Sequence, residues 1–248
     1  MRYVKQRIFS GVVCEQEIFP VADLTRNVKA ASPRLRFKTE EEREAFNSAR
    51  SRRKHTRIVN TNFHVGDQYS TLTLDDENEV HTFSEAKRLR DNYIRRLKRA
   101  YPDAKIMCYL GRGKSTHRIH MHMLSSGIPR EDIIEKWGMG EVCRVENLKE
   151  HCFYDGVDHG QDYTGLANYL YDHWTPEQGG HRWKQTQNLD KPEKEPQKEI
   201  KREYTVNKPP KAPKGYMYIE SKGTDYGYLY FKYIKIPPPK PRTPKARK

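Results

Sequence analysis

Apolar residues are scarce in this chain. Hydrophobic types make up 35% of its 248 residues, and the mean hydropathy is −1.04. A chain packed throughout its length would carry more, so part of it is expected to be tail or linker. No apolar run approaches the roughly 20 residues of a membrane-spanning helix. Residues Met1 to Glu15 lack the apolar segment of a secretory signal. These absences predict a cytoplasmic location and no membrane partner. Cysteine is also sparse: Cys14, Cys108, Cys143 and Cys152 stand apart with no Cys-x-x-Cys pair. That spacing argues against a disulfide framework and a cysteine zinc site, leaving small buried apolar groups as the expectation. There is no internal repeat. Gly113-Lys114-Ser115-Thr116 looks like the end of a phosphate-binding loop, but that pattern needs glycine where Cys108 stands. An ATPase site is therefore excluded, and no helicase domain is visible.

Positive charge, by contrast, is abundant. Lys and Arg number 47 against 33 Asp and Glu, a net +14, and the pI is about 9.5. Such a field favours a polyanion and speeds encounter with it. Charge alone does not separate DNA from RNA or an anionic membrane.

Residues Met1 to Pro20 predict a strand pair, and Leu35 to Asn62 a basic helix. In that helix Arg50, Arg52, Arg53, Lys54 and Arg57 form either a solvated face or a grip on phosphates. Tyr69 to Leu74 alternates as a strand does, and Asp75 to Asn78 supplies a turn. Phe83 to Ala100 reads as a helix capped by Ser84, with Ala86, Leu89, Tyr93 and Leu97 on its apolar face. Lys105 to Leu110, Arg118 to Leu124 and Glu141 to Val145 read as strands. Pro129 to Trp137 and Thr164 to Trp174 read as helices. This order predicts an α+β fold, an antiparallel sheet with helices packed mainly on one face. Tyr216 to Ile236 reads as a β-hairpin whose aromatics either stack bases or, as favoured here, pad a sheet.

The most informative stretch is Arg118-Ile119-His120-Met121-His122-Met123-Leu124. On a strand, His120 and His122 share one face while Ile119, Met121 and Met123 share the other. Two imidazoles so spaced can grip one divalent ion. An isolated pair of this kind is also compatible with plain surface histidines. On the later helix, Leu166, Leu170 and Trp174 form the core stripe, and Tyr169 and His173, four apart, form an adjacent face.

Taken together and in order, several segments resemble motifs of the HUH endonuclease superfamily, in particular the rolling-circle replication initiators of phages and plasmids. Ser70 to Asp76 resembles the first motif and His120-Met121-His122 the His-hydrophobe-His motif. Trp137 to Val142 resembles a W-x-x-G segment. Leu166-Ala167-Asn168-Tyr169-Leu170 resembles the tyrosine motif, and Arg182 to Leu189 a stretch that follows it. The resemblance covers about Thr61 to Pro192.

It implies an RRM-like or ferredoxin-like nuclease fold in which Tyr169 attacks DNA. A Mg2+ or Mn2+ ion would lie on His120 and His122. Single-stranded or origin DNA would be the substrate, and a helicase and a polymerase of a bacterial host the partners. Arg112, Lys114, Arg118, Arg52 and Arg53 are candidate DNA contacts; the loop around Arg112, Lys114 and His117 also reads as a solvated turn. Tyr171 and Tyr163 are rival nucleophiles, although Tyr171 lies about 200° around the helix from Tyr169.

Two positions depart from the family pattern. Asp172 stands where a lysine is common, and Leu110-Gly111-Arg112 supplies no glutamate as third ligand. Related transposases draw that ligand from one turn beyond the tyrosine. His173, or else Asp172, is the candidate here, with helix capping as the other role for His173. Relaxases, which usually carry a larger histidine cluster, transposases, and a non-catalytic DNA-binding protein on the same fold are the alternatives. The expected map is 1–60 as strands and basic helix packing on the core and 61–192 as the endonuclease domain. A Lys/Pro/Glu-rich linker (193–215), an aromatic hairpin (216–236) and a disordered basic tail (237–248) follow.

Overall fold

A computed structural model describes residues 2–21, 39–113, 115–140, 143–154, 156–224 and 227–236. Chain order runs β1 (Arg2–Ser10), β2 (Val13–Val21), α1 (Glu40–Asn62), β3 (Gln68–Leu72), α2 (Phe83–Ala100), β4 (Lys105–Arg112), β5 (Ile119–Ser126), α3 (Arg130–Trp137) and β6 (Cys143–Asn147). It continues through β7 (Phe153–Tyr154), β8 (Val157–Asp158), α4 (Thr164–Tyr171), a 3-10 turn (Pro176–Gln178), β9 (Lys184–Gln185) and β10 (Glu193–Lys194). The last strands are β11 (Lys198–Ile200), β12 (Tyr216–Gly223) and β13 (Leu229–Lys235). Two compact units result: one of Met1–Ile8, Val12–Pro33 and Lys194–Lys248, the other of Phe9–Gly11 and Arg34–Glu193.

The larger unit is an α+β fold on an antiparallel sheet of order β6-β3-β5-β4-β9. With α2 and α3 as its crossovers, the run β3-α2-β4-β5-α3-β6 has the ferredoxin-like split βαβ arrangement. Alternation along β4 and β5 sends Ile106, Cys108, Leu110, Ile119, Met121 and Met123 to one face. They pack there on Phe83, Ala86, Tyr93, Ile94 and Leu97 of α2 and on Ile133 and Trp137 of α3. Met107, Tyr109 and Leu124 point the other way, onto Ile58, Val59 and Phe63 at the end of α1 and Ala167 and Leu170 of α4. The expected pairing of one face with helices describes α2 and α3. The opposite face also carries α1 and α4, which pack against each other.

Helix ends differ from the sequence reading in instructive ways. Thr82, not Ser84, caps α2: its hydroxyl accepts from the Glu85 N–H while the Glu85 carboxylate accepts from the Thr82 N–H. Because the helix begins at Phe83, Ser84 already lies in the first turn. Thr39 caps α1, accepting from the Glu42 N–H at 3.2 Å; the expected start at Leu35 lies outside the described residues. Helix α4 ends at Tyr171, short of the expected Trp174. The Gln178 amide donates to the carbonyls of His173 (3.1 Å) and Leu110 (3.0 Å), holding the following turn against β4.

The smaller unit is built on a sheet of order β10-β1-β2-β13-β12, with β11 also paired to β1. Tyr230, Phe231, Tyr233 and Ile234 of β13 are buried with Val13, Cys14 and Ile18 of β2. The Tyr230 hydroxyl donates to the Glu15 carboxylate at 2.7 Å, and that of Tyr233 to the Pro210 carbonyl at 2.9 Å. These aromatics pad the sheet rather than offer faces to bases, while Tyr218 remains exposed. The expected map needs two corrections. The first two strands group with the C-terminal hairpin rather than with the basic helix. The 193–215 segment is not merely a linker, since β10 and β11 extend the sheet at β1. Backbone bonds make an edge strand while its Lys and Glu side chains stay in water, so composition alone hides it. The expected tail, 237–248, lies outside the described residues. Among the described residues no helix is long and apolar enough to cross a membrane.

Candidate metal centre

His120 and His122 leave β5 on the side of the sheet that faces α4. The register sets Gly111 opposite His120 and Tyr109 opposite His122 across β4, with Thr71 opposite His122 across β3. His173 enters from the turn just past α4. The ligand atoms of His120, His122 and His173 all lie within 4.8 Å of one another, and the Nε2 atoms of His122 and His173 are 3.1 Å apart. Gly111 makes this possible. A Cβ there would stand 2.8 Å from His173 Cδ2 and 2.9 Å from His120 Nε2. The position that offers no glutamate in sequence is thus one where the two imidazoles occupy the space of a side chain.

Hydrogen bonds orient the rings. His173 Nδ1 is 2.8 Å from the Tyr169 carbonyl oxygen. A carbonyl only accepts, so Nδ1 carries the proton and Nε2 presents its lone pair to the cluster. Helix capping and metal ligation are therefore compatible roles for one side chain. His122 Nδ1 lies 2.9 Å from the Tyr69 hydroxyl and 3.2 Å from that of Thr71. Burial lowers the His122 pKa to about 3, and the repulsion that two charged rings would feel, from His173 and then His120, lowers it further. Burial, then the repulsion that two charged rings would feel from His173, also lowers that of His120. Rings held neutral are the form that binds a metal. The three nitrogen donors suit a divalent ion, and among the described residues no carboxylate belongs to the group.

Tyr169 lies on the same side of the sheet. Its ring centroid is 4.4 Å from that of His173 and 5.8 Å from that of His122. It is 51% exposed, and so open to a large substrate. The rivals are occupied elsewhere. Tyr171 is buried and donates to the Ser48 carbonyl at 3.2 Å; Tyr163 is buried and donates to that of Lys149 at 2.8 Å. Asp172 does not join the cluster. It forms a two-pronged pair with Arg52, at 2.9 and 2.5 Å, which holds its carboxyl below the usual range.

Three of the expected basic residues, Arg52, Arg112 and Arg118, have partners within the chain. Arg52 is committed to Asp172 and lies 4.6 Å from the Tyr171 ring centre, and Arg53 is half-buried on α1. Arg112 donates to the carbonyls of His117 (3.0 Å) and His81 (3.3 Å) and lies over the Phe83 ring. Arg118 pairs with Asp76 at 2.8 Å and donates to the Leu74 carbonyl at 2.9 Å. Lys114 lies outside the described residues. Conversely, sequence reasoning assigned no role to Tyr69, Thr71, Gly111 or Gln178. Alternation does put Tyr69 and Thr71 on one strand face, but only pairing with β5 aims that face at His122. No known protein family, characterised protein or solved structure matches the chain.

Proposed function

We propose that this protein is a metal-dependent DNA nicking and joining enzyme that starts rolling-circle replication. Tyr169 is its nucleophile, and His120, His122 and His173 are its metal ligands. One observation carries the reading: an exposed phenol and three imidazoles converge on the same side of one sheet. The divalent ion, when bound, polarises the scissile phosphate and offsets charge that builds up during attack. An all-imidazole set favours Mn2+ over Mg2+, which prefers oxygen ligands and retains its waters.

The chain's own groups do the rest. The Tyr169 oxygen attacks phosphorus, the bond from phosphorus to the 3′ oxygen breaks, and the phenolic proton ends on that 3′ oxygen. The products are a 5′-phosphotyrosyl bond and a free 3′-hydroxyl. One phosphate ester replaces another, so the reverse step can rejoin the strand. The net charge of +14 favours a DNA partner. Unwinding and synthesis are assigned in this reading to a helicase and a polymerase of the host. A second reading, a single-strand transposase with the same chemistry, is favoured by His173, which lies one turn beyond the tyrosine.

The test is incubation with single-stranded, hairpin-bearing oligonucleotides and Mn2+, followed by denaturing electrophoresis. A covalent adduct is expected, lost with EDTA and in Tyr169→Phe. An adduct that survives Tyr169→Phe overturns the assignment. No adduct on any strand leaves a DNA-binding module instead.

A further inference from the structure

The turn after α4 carries two aromatic rings that flank His173 in the chain: Tyr171 two residues before it and Trp174 directly after it. The Arg182 guanidinium carbon lies over both, 4.5 Å from the Tyr171 centroid and 4.2 Å from that of Trp174. The segment that follows is anchored. Trp183 packs on His55 with ring centroids 4.7 Å apart, and β9 then pairs with β4. Arg52 also lies over the Tyr171 ring, at 4.6 Å, but its charge is met by the fork to Asp172. Among the described residues Arg182 has no hydrogen bond or ion pair, and its nitrogens reach solvent. We propose that Arg182 is a DNA-binding residue that grips a backbone phosphate of the single strand presented to the imidazoles.

The chemistry follows from what the rings leave free. A ring face holds a guanidinium by its charge, while the five N–H donors still need oxygen acceptors. A side chain already ordered in this way loses less freedom when a ligand arrives. Two guanidiniums against the one Asp172 carboxylate leave one positive charge over, and a phosphodiester carries one negative charge. The planar fork of N–H groups matches two oxygens of one phosphate. The net charge of +14 favours a polyanion over an isolated acidic group.

This inference rests on the nickase reading for the identity of the strand, but it is tested by binding alone. The full chain is titrated, in EDTA so that no strand is cut, into fluorescein-labelled oligothymidine and into a mixed-sequence oligonucleotide. Fluorescence anisotropy is read at several salt concentrations. Wild type is compared with Arg182→Gln, Arg182→Lys and Arg99→Gln, the last an exposed cation on α2, which packs on the other sheet face. Arg182→Gln is expected to weaken binding of both strands about tenfold and to lower the slope of log affinity against log salt by about 0.7, the share of one phosphate contact. Arg182→Lys should keep the slope yet bind at least about threefold more weakly, because an ammonium does not present a planar fork. Arg99→Gln should stay within about threefold of wild type. Binding by Arg182→Gln within about threefold of wild type overturns the proposal. Wild-type affinity in Arg182→Lys also overturns it, as does a loss confined to one sequence, which marks a base contact. Should Arg182→Gln melt early, Arg182→Lys, which keeps a cation over the rings, decides between these outcomes. If the wild type binds both strands but forms no adduct with Mn2+, the nickase reading falls and the Arg182 comparison still stands. If it binds neither strand, the phosphate contact is overturned.

Discussion

At the scale of the residue, the candidate centre turns on a side chain that is missing. Gly111 clears the space in which His120 and His173 meet, so any Cβ there pushes on both rings. Gly111→Ala should therefore weaken Mn2+ binding by at least about tenfold, comparable to the loss of a supporting partner. Both neighbours are ring ends that can shift, so the melting temperature should hold; calorimetric titration and a thermal melt separate the two effects. His173→Ala removes a proposed ligand and should cost more than the 10–100-fold that supporting groups cost. Unchanged Mn2+ affinity in that variant would remove His173 from the site. The alternation of His120 and His122 was legible from the strand pattern alone. The choice of Tyr169 over Tyr163 and Tyr171 was less so. Each is one phenol among 16 tyrosines, and their separation depends on carbonyls of Lys149 and Ser48 that come from distant parts of the chain.

At the scale of the element, α4 delivers both Tyr169 and His173, so its placement decides the geometry. It is buried through Ala167 and Leu170 and fastened at its end by the fork between Arg52 of α1 and Asp172. Both partners are substantially solvent-accessible, and such pairs contribute about 0.2–1 kcal/mol. Asp172→Asn should consequently lower stability by no more than about 1 kcal/mol in urea melts and leave Mn2+ affinity unchanged. A large loss of metal binding would instead make Asp172 a ligand. Helical periodicity located α4 to within a few residues. Its early stop was not legible, because Gln178 bonds the turn to β4, and a bond across 68 residues of chain leaves no local periodic trace. Strands β10 and β11 were hidden for a related reason: their partner β1 lies at the other end of the sequence.

Across the whole molecule, the second face of the sheet is filled by polar as well as apolar groups. His55 of α1 is fully buried, with Nε2 2.7 Å from the Tyr109 hydroxyl. Burial, aided by the Arg52 charge, lowers its pKa from 6.5 to about 3. The unfolded chain therefore binds a proton that the folded one refuses. Stability held above the unfolded value is lost as pH falls through the window down to the folded one, by up to about 1.4 kcal/mol per pH unit from this group. His55→Gln keeps a partner for Tyr109 and removes the titration. Urea melts between about pH 5 and pH 7 should give it a shallower decline than wild type. Equal slopes would mean that His55 does not govern acid sensitivity.

What the sequence determined by itself is local and periodic: the strand that puts His120 and His122 on one face, the helix that spaces Tyr169 from His173, the basic charge, and the α+β order of elements. Those follow from repeats of two and about 3.6 residues, which any short segment carries within itself. Tertiary structure alone decided that both sheet faces carry helices, that Gly111 leaves room for two imidazoles, that Asp172 pairs with Arg52, and that the Tyr69 hydroxyl reaches His122. Each of these is a contact between residues remote in the chain, set by strand register and helix packing. A register can exchange one whole strand face for the other without changing a letter of the sequence.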